Sequence, residues 1–334
     1  MPNKTPKYPK VSVIIPVRNE ETHIQSCLKN LPGQTYPSNK IEVVVIDGMS
    51  NDNTRARINK FRKEHPRLNL RSINNPKKEI FPALNIGIKN AKGEVIIRLD
   101  ARTHIKKDYI KQCVKTLLNT KADNVGGVQK PIAQSPTQKA IGIAMSHPFG
   151  VGNAQFRLGN KSGFVDTIYL GCFRKNVFKK IGLFDENSGI ISEDSDINLR
   201  IRKAGGKVYL NKDIAAYYYP RETILKLSQL YFRYGRAKAV NFFKHKRLQS
   251  RQLIPAMFLL SIVFLTILSF VHLLFSQLLF SLLSVYLMTS LLSSLQLSIK
   301  NRSYCLFARL IIIFPVIHFS WAFGFWARFL GLVK

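Results

Sequence analysis

Apolar residues run through Val11–Val17, Ile41–Asp47 and Glu94–Asp100 almost without alternation. That pattern belongs to strands buried on both faces, as in a parallel sheet covered by helices. Leu68–Ile73 is a weaker run of the same kind. Between the runs the spacing turns helical. Asn19 caps a predicted helix that stops at Pro32-Gly33, a basic helix ends near His65-Pro66, and Phe81–Ala91 closes at Gly93. The first two strands start about thirty residues apart, the length of a βαβ unit. Further on, Lys106–Asn119 and Asp194–Ala204 read as helices. Val125–Val128, Val165–Leu170, Val208–Leu210 and Ala215–Tyr219 read as short strands.

Beyond residue 251 the pattern changes kind. Gln252–Ile299 contains no charged residue, too long for one membrane crossing of about 20 residues and enough for two. A hairpin over roughly 253–273 and 275–298, turning near His272–Gln277, is expected. A third apolar stretch, Tyr304–Ala327, carries Arg309, Pro315 and His318. The reading is therefore three regions: residues 1–222 as one α/β domain, 223–251 as a basic juxtamembrane helix, and 252–334 as an anchor of two to three transmembrane helices.

Charge sharpens that division. The chain has 51 Lys+Arg and 19 Asp+Glu, a formal +32, yet no acid follows Glu222, while 13 basic residues do. Lys238, Lys244, Lys246, Arg247 and Arg251 precede the hairpin, and Lys300 and Arg302 follow it. By the positive-inside rule both clusters face the cytoplasm, and the large N-terminal domain with them. A basic surface of this kind is attracted to anionic lipid. Nucleic-acid binding is set aside, because no nucleic-acid motif accompanies the charge. Cys27, Cys113, Cys172 and Cys305 are scattered without CxxC pairing, so neither zinc nor a disulfide framework is indicated.

In open parallel sheets, ligands bind outside the carboxyl ends of the strands. Three polar groups fall there: Pro16 to Glu20, Asp47-Gly48 through Thr54, and Asp100-Ala101-Arg102. Asp100 can hold a divalent cation beside a nucleotide diphosphate, since Mg²⁺ takes one or two carboxylates together with phosphate oxygens. No P-loop spacing occurs and no GxGxxG follows the first strand, so the kinase, ATPase and dehydrogenase signatures are missing. A later acidic group, Glu193-Asp194-Ser195-Asp196, precedes a basic helix. It is either a helix N-terminal cap or a general base delivered over the cleft.

At these residues the chain resembles the inverting glycosyltransferases of family 2. VSVIIPVRNEE is similar to the family's first strand and nucleotide loop, VVVIDGMSNDNT to its second strand, NIGIKNAKGEVIIRLDA to the approach to its DxD site, and SEDSDINLRIRKAG to its late acidic motif. A closer likeness, through SHPFGVGNAQFR, VDTIYLGCFRKNVFKKIGLFDE and QLYFRYGRAKA, is to the succinoglycan-biosynthesis glucosyltransferase group. The resemblance implies a GT-A, Rossmann-like, mostly parallel sheet domain. It also implies transfer from a nucleotide-sugar, UDP-linked, to a lipid-linked or polysaccharide acceptor at the cell membrane.

Carried onto this sequence, Pro16, Arg18, Glu20 and Asp47 line the nucleotide pocket, and Asp100 holds the diphosphate through Mg²⁺ or Mn²⁺. Asp194, with Glu193, takes the acceptor's proton. Arg233 and Arg236 stabilise the leaving charge or, alternatively, touch lipid headgroups. Two positions depart from the pattern: Gly48 follows Asp47 where a second acid is common, and Arg102 replaces the second acid of DxD. Arg102 cannot ligate a cation, and it is a candidate to pair directly with the diphosphate. Two alternative functions remain open, a polyprenyl-phosphate sugar synthase and a catalytically inactive membrane scaffold.

Overall fold

A computed structural model of the chain describes residues 8–186, 193–246 and 250–333, and in it the apolar runs become neighbouring strands. β1 (Val11–Val17) leads through α1 (Ile24–Leu28) to β2 (Ile41–Asp47), and the two lie parallel from Val11 opposite Ile41 to Val17 opposite Asp47. α2 (Thr54–Glu64) leads to β3 (Asn69–Asn74), parallel to β2. α3 (Ile80–Asn90) leads to β4 (Val95–Arg98), parallel to β1 on its other side. Parallel neighbours need such crossover helices, which is why strand-like and helix-like patterns alternate here.

The rest of the sheet is not uniformly parallel. β5 (Thr103–Ile105), α4 (Tyr109–Thr120) and β6 (Asn124–Pro131) are followed by three short helices, α5 (Pro136–Ala144), α6 (Pro148–Val151) and α7 (Gln155–Leu158). Then come β7 (Gly163–Phe164), β8 (Tyr169–Arg174), α8 (Val177–Ile181), α9 (Glu193–Lys203) and β9 (Val208–Tyr218). The strand order is β3-β2-β1-β4-β8-β6-β9-β5, with β7 paired to β9. β8 is antiparallel to both β4 and β6, and β9 is antiparallel to β5 and β7, so the sheet is mixed.

Several sequence expectations change in detail. The first helix is the short α1, with His23 rather than Asn19 as its N-cap, and it ends at Leu28. Of the stretch 165–170, only Tyr169 and Leu170 are strand, as the start of β8, and 165–168 connect it to β7. Val208–Leu210 and Ala215–Tyr219 belong to a single strand, whose middle, Asn211-Lys212-Asp213, is polar because it is partly or fully exposed.

The chain divides into two compact units. The first comprises Met1–Lys130, Gly159–Gly189 and Glu193–Tyr218 and holds the sheet. Its core joins Val13, Ile15, Val43, Val45 and Ile97 of the central strands to Ile24, Phe61, Ile110 and Leu117 of the covering helices, all almost fully buried. Each such side chain contributes about 1.5–3 kcal/mol on burial.

The second unit comprises Pro131–Leu158, Ile190–Ser192 and Tyr219–Lys334. Here α10 (Ile224–His245), α11 (Ser250–Leu268), α12 (Leu273–Lys300) and α13 (Tyr304–Phe329) pack with α5 and α6. Ile141, Met145, Leu227, Tyr231, Leu310, Phe314 and Trp321 form its core. α12 and α13 are both long and apolar enough to cross a membrane, and the apolar part of α11, Gln252–Leu268, is shorter. The turn between α11 and α12 falls at 269–272, ahead of the expected 272–277, which is already helical from Leu273; His272 accepts the Leu274 N–H at 3.1 Å to cap α12. Phe264, Ile267, Phe280, Met288 and Leu292 stay exposed on these helices, as contact with lipid would allow. Of the basic cluster before the hairpin, Arg247 and the side chain of Arg251 lie outside the described residues.

α10 and α13 approach closely through two glycines. A Cβ on Gly235 would stand 2.0 Å from the Trp321 carbonyl oxygen, and one on Gly324 2.0 Å from that of Phe232. The obstacle is helical backbone, which cannot step aside as a side chain can. Gly235→Ala would gain about 1 kcal/mol of helix propensity, but overpacking of this kind costs about 1–3 kcal/mol. The expected outcome is a lower melting temperature for Gly235→Ala and for Gly324→Ala in detergent. An unchanged or higher midpoint would show that the helices do not meet there.

Candidate active site

Polar side chains knit together the loops after β1 and β2. Asn19 takes the left-handed conformation (φ 52°), which asparagine tolerates. Its N–H donates to Ser50 Oγ at 2.9 Å, and the Glu20 N–H donates to Thr54 Oγ1 at 2.8 Å. In return the Asn51 N–H donates to Asn19 Oδ1 at 3.1 Å and the Asn53 N–H to Glu21 Oε2 at 2.9 Å. Met49 is also left-handed (φ 56°), unusual for a residue of its size and a strained point of the rim. Gly48 is small for a reason: a Cβ there would lie 3.1 Å from Arg18 Cβ, so the stem of Arg18 runs over it.

Asp47 is buried at the end of β2 and fully engaged. Its carboxylate accepts from Ser50 Oγ at 2.6 Å, from the Ser50 N–H at 3.2 Å, and from Arg55 Nε. It therefore staples the turn. Arg102 does not face Asp100. Its Nε donates to both oxygens of Glu20 at 2.9 Å, and Glu20 also meets His23 Nδ1 at 3.1 Å.

The decisive group lies one strand further on. Arg98, at the end of β4, is 3% exposed, and its guanidinium holds three carboxylates. Nε donates to Asp100 Oδ1 at 2.9 Å, Nη1 to Asp194 Oδ1 at 2.9 Å, and Nη2 to Glu193 Oε1 at 2.7 Å. The pair Glu193-Asp194, at the first turn of α9, is thus brought to the strand end that carries Asp100. A fixed planar fork suits this task, because it can meet several carboxylates at set angles.

Two further devices hold α9 in place. The side chain of Asn198, 1% exposed, accepts from Asn124 Nδ2 of β6 at 2.7 Å and donates to Thr167 Oγ1 at 3.2 Å. At β8, Leu170 (φ 64°) and Gly171 (φ 123°) are left-handed, and the Leu170 N–H hydrogen-bonds to Asp194. Upstream of α9, Asn85 Nδ2 donates to Phe184 O at 2.9 Å and to Glu186 Oε1 at 2.8 Å.

One guanidinium cannot neutralise three carboxylates, and burial disfavours charge. Desolvation, opposed by the charge of Arg98 and reinforced by Glu193 and Asp100, pushes the Asp194 carboxyl up to about 8. A side chain with the unperturbed carboxylate value of about 3.9 would be a poor base near neutrality, and this one is not. Arg98 itself is held well above its usual value: burial opposes its charge, and the three carboxylates outweigh that.

Of the residues singled out from sequence, the first unit brings Asp100, Glu193 and Asp194 together and places Arg18, Glu20, Asp47 and Arg102 on the neighbouring loops. Pro16 is in β1, in register with Ile46. Arg233 and Arg236 lie on α10 in the second unit. Sequence reasoning missed Arg98, Asn124 and Asn198. The available signal was a lone charge inside the apolar run Val95–Leu99, where a buried strand tolerates none without partners.

Residues 12–182 match the family described as Glycosyl transferase family 2. The chain belongs to that family. Over 329 residues, 97% of both chains, it is 29% identical to the dolichyl N-acetyl-alpha-D-glucosaminyl phosphate 3-beta-D-2,3-diacetamido-2,3-dideoxy-beta-D-glucuronosyltransferase of Methanococcus voltae. Over 246 residues, 73% of each chain, it is 31% identical to the succinoglycan biosynthesis protein ExoA of Rhizobium meliloti. Among solved structures, the mannosyltransferase PcManGT of Pyrobaculum calidifontis, in complex with GDP-Man and Mn²⁺, superposes with a TM-score of 0.63. That match has 19% identity, covers 98% of this chain and 89% of the other, and shows the GT-A-like fold.

For this glycosyltransferase, the donor atoms present define what a divalent cation would meet. Among the described residues no three His, Cys, Asp or Glu side chains converge as a metal cage. Asp100 keeps one oxygen clear of Arg98 and a side chain 31% exposed. A single carboxylate fits Mg²⁺ or Mn²⁺ when substrate phosphates complete the shell.

The raised Asp194 has a consequence for stability. The folded chain binds this proton more tightly than the unfolded chain, whose carboxyl titrates near 3.9. The resulting stabilisation is complete below about pH 4 and is lost as the pH rises through about 8. The melting temperature should therefore fall less between pH 5 and pH 9 in Asp194→Asn than in the wild type. Each kcal/mol of the difference corresponds to about 2–4 °C. Parallel curves would contradict the raised value.

Proposed function

We propose that the chain is a membrane-anchored inverting glycosyltransferase that moves a sugar from a UDP-linked donor to a hydroxyl of a lipid-linked or polysaccharide acceptor. The observation that carries this reading is the basic carboxylate of Asp194, held by Arg98 beside Asp100. A sugar hydroxyl needs a base as its oxygen attacks, and a base is most useful when it titrates near the working pH. Asp194 accepts that proton, and Arg98 keeps the resulting pair of acids in place. Attack opposite the leaving diphosphate inverts the anomeric carbon.

Arg18 and the loop after β2 border the nucleotide. Arg102 and Glu20 form an exposed ion pair at the rim, from which Arg102 can turn to the diphosphate. Asp100 is the residue that would hold Mg²⁺ or Mn²⁺. A cation bound there supplies charge to offset the leaving diphosphate. Arg233 and Arg236, on α10, are assigned to leaving-charge stabilisation.

The names of the relatives support the acceptor class, since one acts on a dolichyl-phosphate-linked sugar and another serves succinoglycan synthesis. A hydroxyl acceptor also suits a strong base better than a polyprenyl phosphate does, because the phosphate ionises unaided. The proposed location is the cell membrane, multi-pass, with the sheet unit, the basic residues of α10 and the Lys300–Arg302 turn all on the cytoplasmic side.

Asp194→Asn should lower transfer by about 10²–10⁴-fold while nucleotide-sugar affinity stays within a few-fold. Asparagine caps a helix about as well as aspartate, so wild-type turnover in this variant would leave the carboxylates a capping role only. Product from an α-linked donor should carry a β linkage by the anomeric proton coupling, and retained configuration would exclude direct displacement.

Transfer should also stop in excess chelator and return with Mn²⁺ or Mg²⁺. Full activity without a cation would mean that Asp100 serves through Arg98 alone.

A further inference from the structure

The second unit carries 16 Lys and Arg against one acid, Glu222, and that acid pairs with Lys226 at 2.5 Å. Two of these cations line one cavity of about 490 Å³, formed where the beginnings of α5 and α13 meet: Lys139, exposed, and Arg309, partly buried. Among the described residues, neither lies within 4 Å of a carboxylate. Gln134, Ser135, Ser303 and Cys305 complete the polar part of the lining.

Arg309 is the only charged residue of α13 before its last turn, on a helix otherwise apolar enough to cross a membrane. A cation inside such a helix is expensive unless it faces water, a partner or a polar cavity, and there it marks a ligand path. Arg309 faces the cavity. Its Nη1 is tethered to the Cys305 carbonyl oxygen at 3.0 Å, one turn back, which aims the guanidinium and leaves its other N–H groups for a ligand.

We infer that this cavity binds a phosphate group, with Arg309 as a forked donor and Lys139 as a second cation. Arginine matches two phosphate oxygens at once, and lysine adds a mobile point charge. The volume is in the range of small-molecule sites and exceeds what a lone phosphate ion fills, so a phosphate carried on a larger headgroup suits it better. The location on α13 makes a lipid the favoured source. Basic pockets beside membrane helices on the cytoplasmic side recognise lipid phosphates by the same chemistry. This inference concerns the helical unit alone and does not depend on the sugar-transfer reading of the sheet unit.

The test uses the full chain in a neutral maltoside detergent, titrated calorimetrically with farnesyl phosphate, farnesol and inorganic phosphate. Farnesyl phosphate should bind at least tenfold tighter than farnesol. The double variant Lys139→Gln/Arg309→Gln should lose about tenfold per cation removed, while its melting temperature stays at the wild-type value. Should that variant melt early, Lys139→Gln alone changes an exposed side chain and should still lose about tenfold. Saturable binding of inorganic phosphate, lost in the same variants, would support the site with free phosphate as its source. Its absence alongside farnesyl phosphate binding would support a lipid source. Equal affinity for farnesyl phosphate and farnesol, or wild-type affinity of the folded variants for the phosphate probes, would overturn the assignment.

Discussion

Everything at the candidate site hangs on one buried guanidinium. Arg98 projects from the end of β4 and meets carboxylates that lie two, 95 and 96 positions away in the chain. A buried cation without partners would not be tolerated, and three carboxylates without a cation would repel each other apart. Each side of the cluster therefore requires the other. The first turn of α9 is drawn to the strand end, and the sheet keeps an arginine where its neighbours are Ile97 and Leu99. Burial, reinforced by the negative charge of Glu193 and Asp100, is what raises Asp194. The guanidinium that positions the acidic pair opposes that rise without cancelling it.

The surrounding elements gather this cluster and its neighbouring loops at one edge of the sheet. Parallel β1, β2 and β4 end side by side, so the loops after them share one edge of the sheet. Asn19, Ser50 and Thr54 tie two of those loops together before any ligand arrives, which lowers the ordering that binding would otherwise require. Asp47 and Arg55 brace the turn from beneath. Arg102, joined to Glu20 and half-exposed, is the counterpart of the buried Arg98: two arginines four residues apart, one held by three carboxylates and one paired with a single glutamate.

Much of this was legible in the chain. Unbroken apolar runs at Val11–Val17, Ile41–Asp47 and Glu94–Asp100 announced buried parallel strands, because strands covered on both faces cannot alternate. The polar ends of those runs became the loops that Asn19, Ser50 and Thr54 tie together. Glu193 and Asp194 were left open between cap and base, since a first-turn acid looks the same in both roles until its partner is known. That partner, Arg98, was concealed by its setting: local pattern shows that a charge interrupts an apolar strand, and not which distant side chains neutralise it. Asp47, read as a nucleotide contact, also has structural partners in Ser50 and Arg55 that its local sequence did not single out. In the helical unit, hydropathy showed the apolar stretches. It did not show that Ile141 and Met145 of α5 share a core with Leu310 and Phe314 of α13, a contact separated by more than 160 residues.

Family membership places the chain among glycosyltransferases, and the chemistry rests on the protonation of one side chain. The measurement that reaches it most directly is the pH dependence of kcat/KM for the full-length protein, which reports ionisations of the free enzyme. If Asp194 is a base raised by burial among Arg98, Glu193 and Asp100, the logarithm of kcat/KM climbs with unit slope and levels off above about pH 8. A limb near pH 4 to 5, or a profile flat across neutrality, would show that the cluster does not carry the proton.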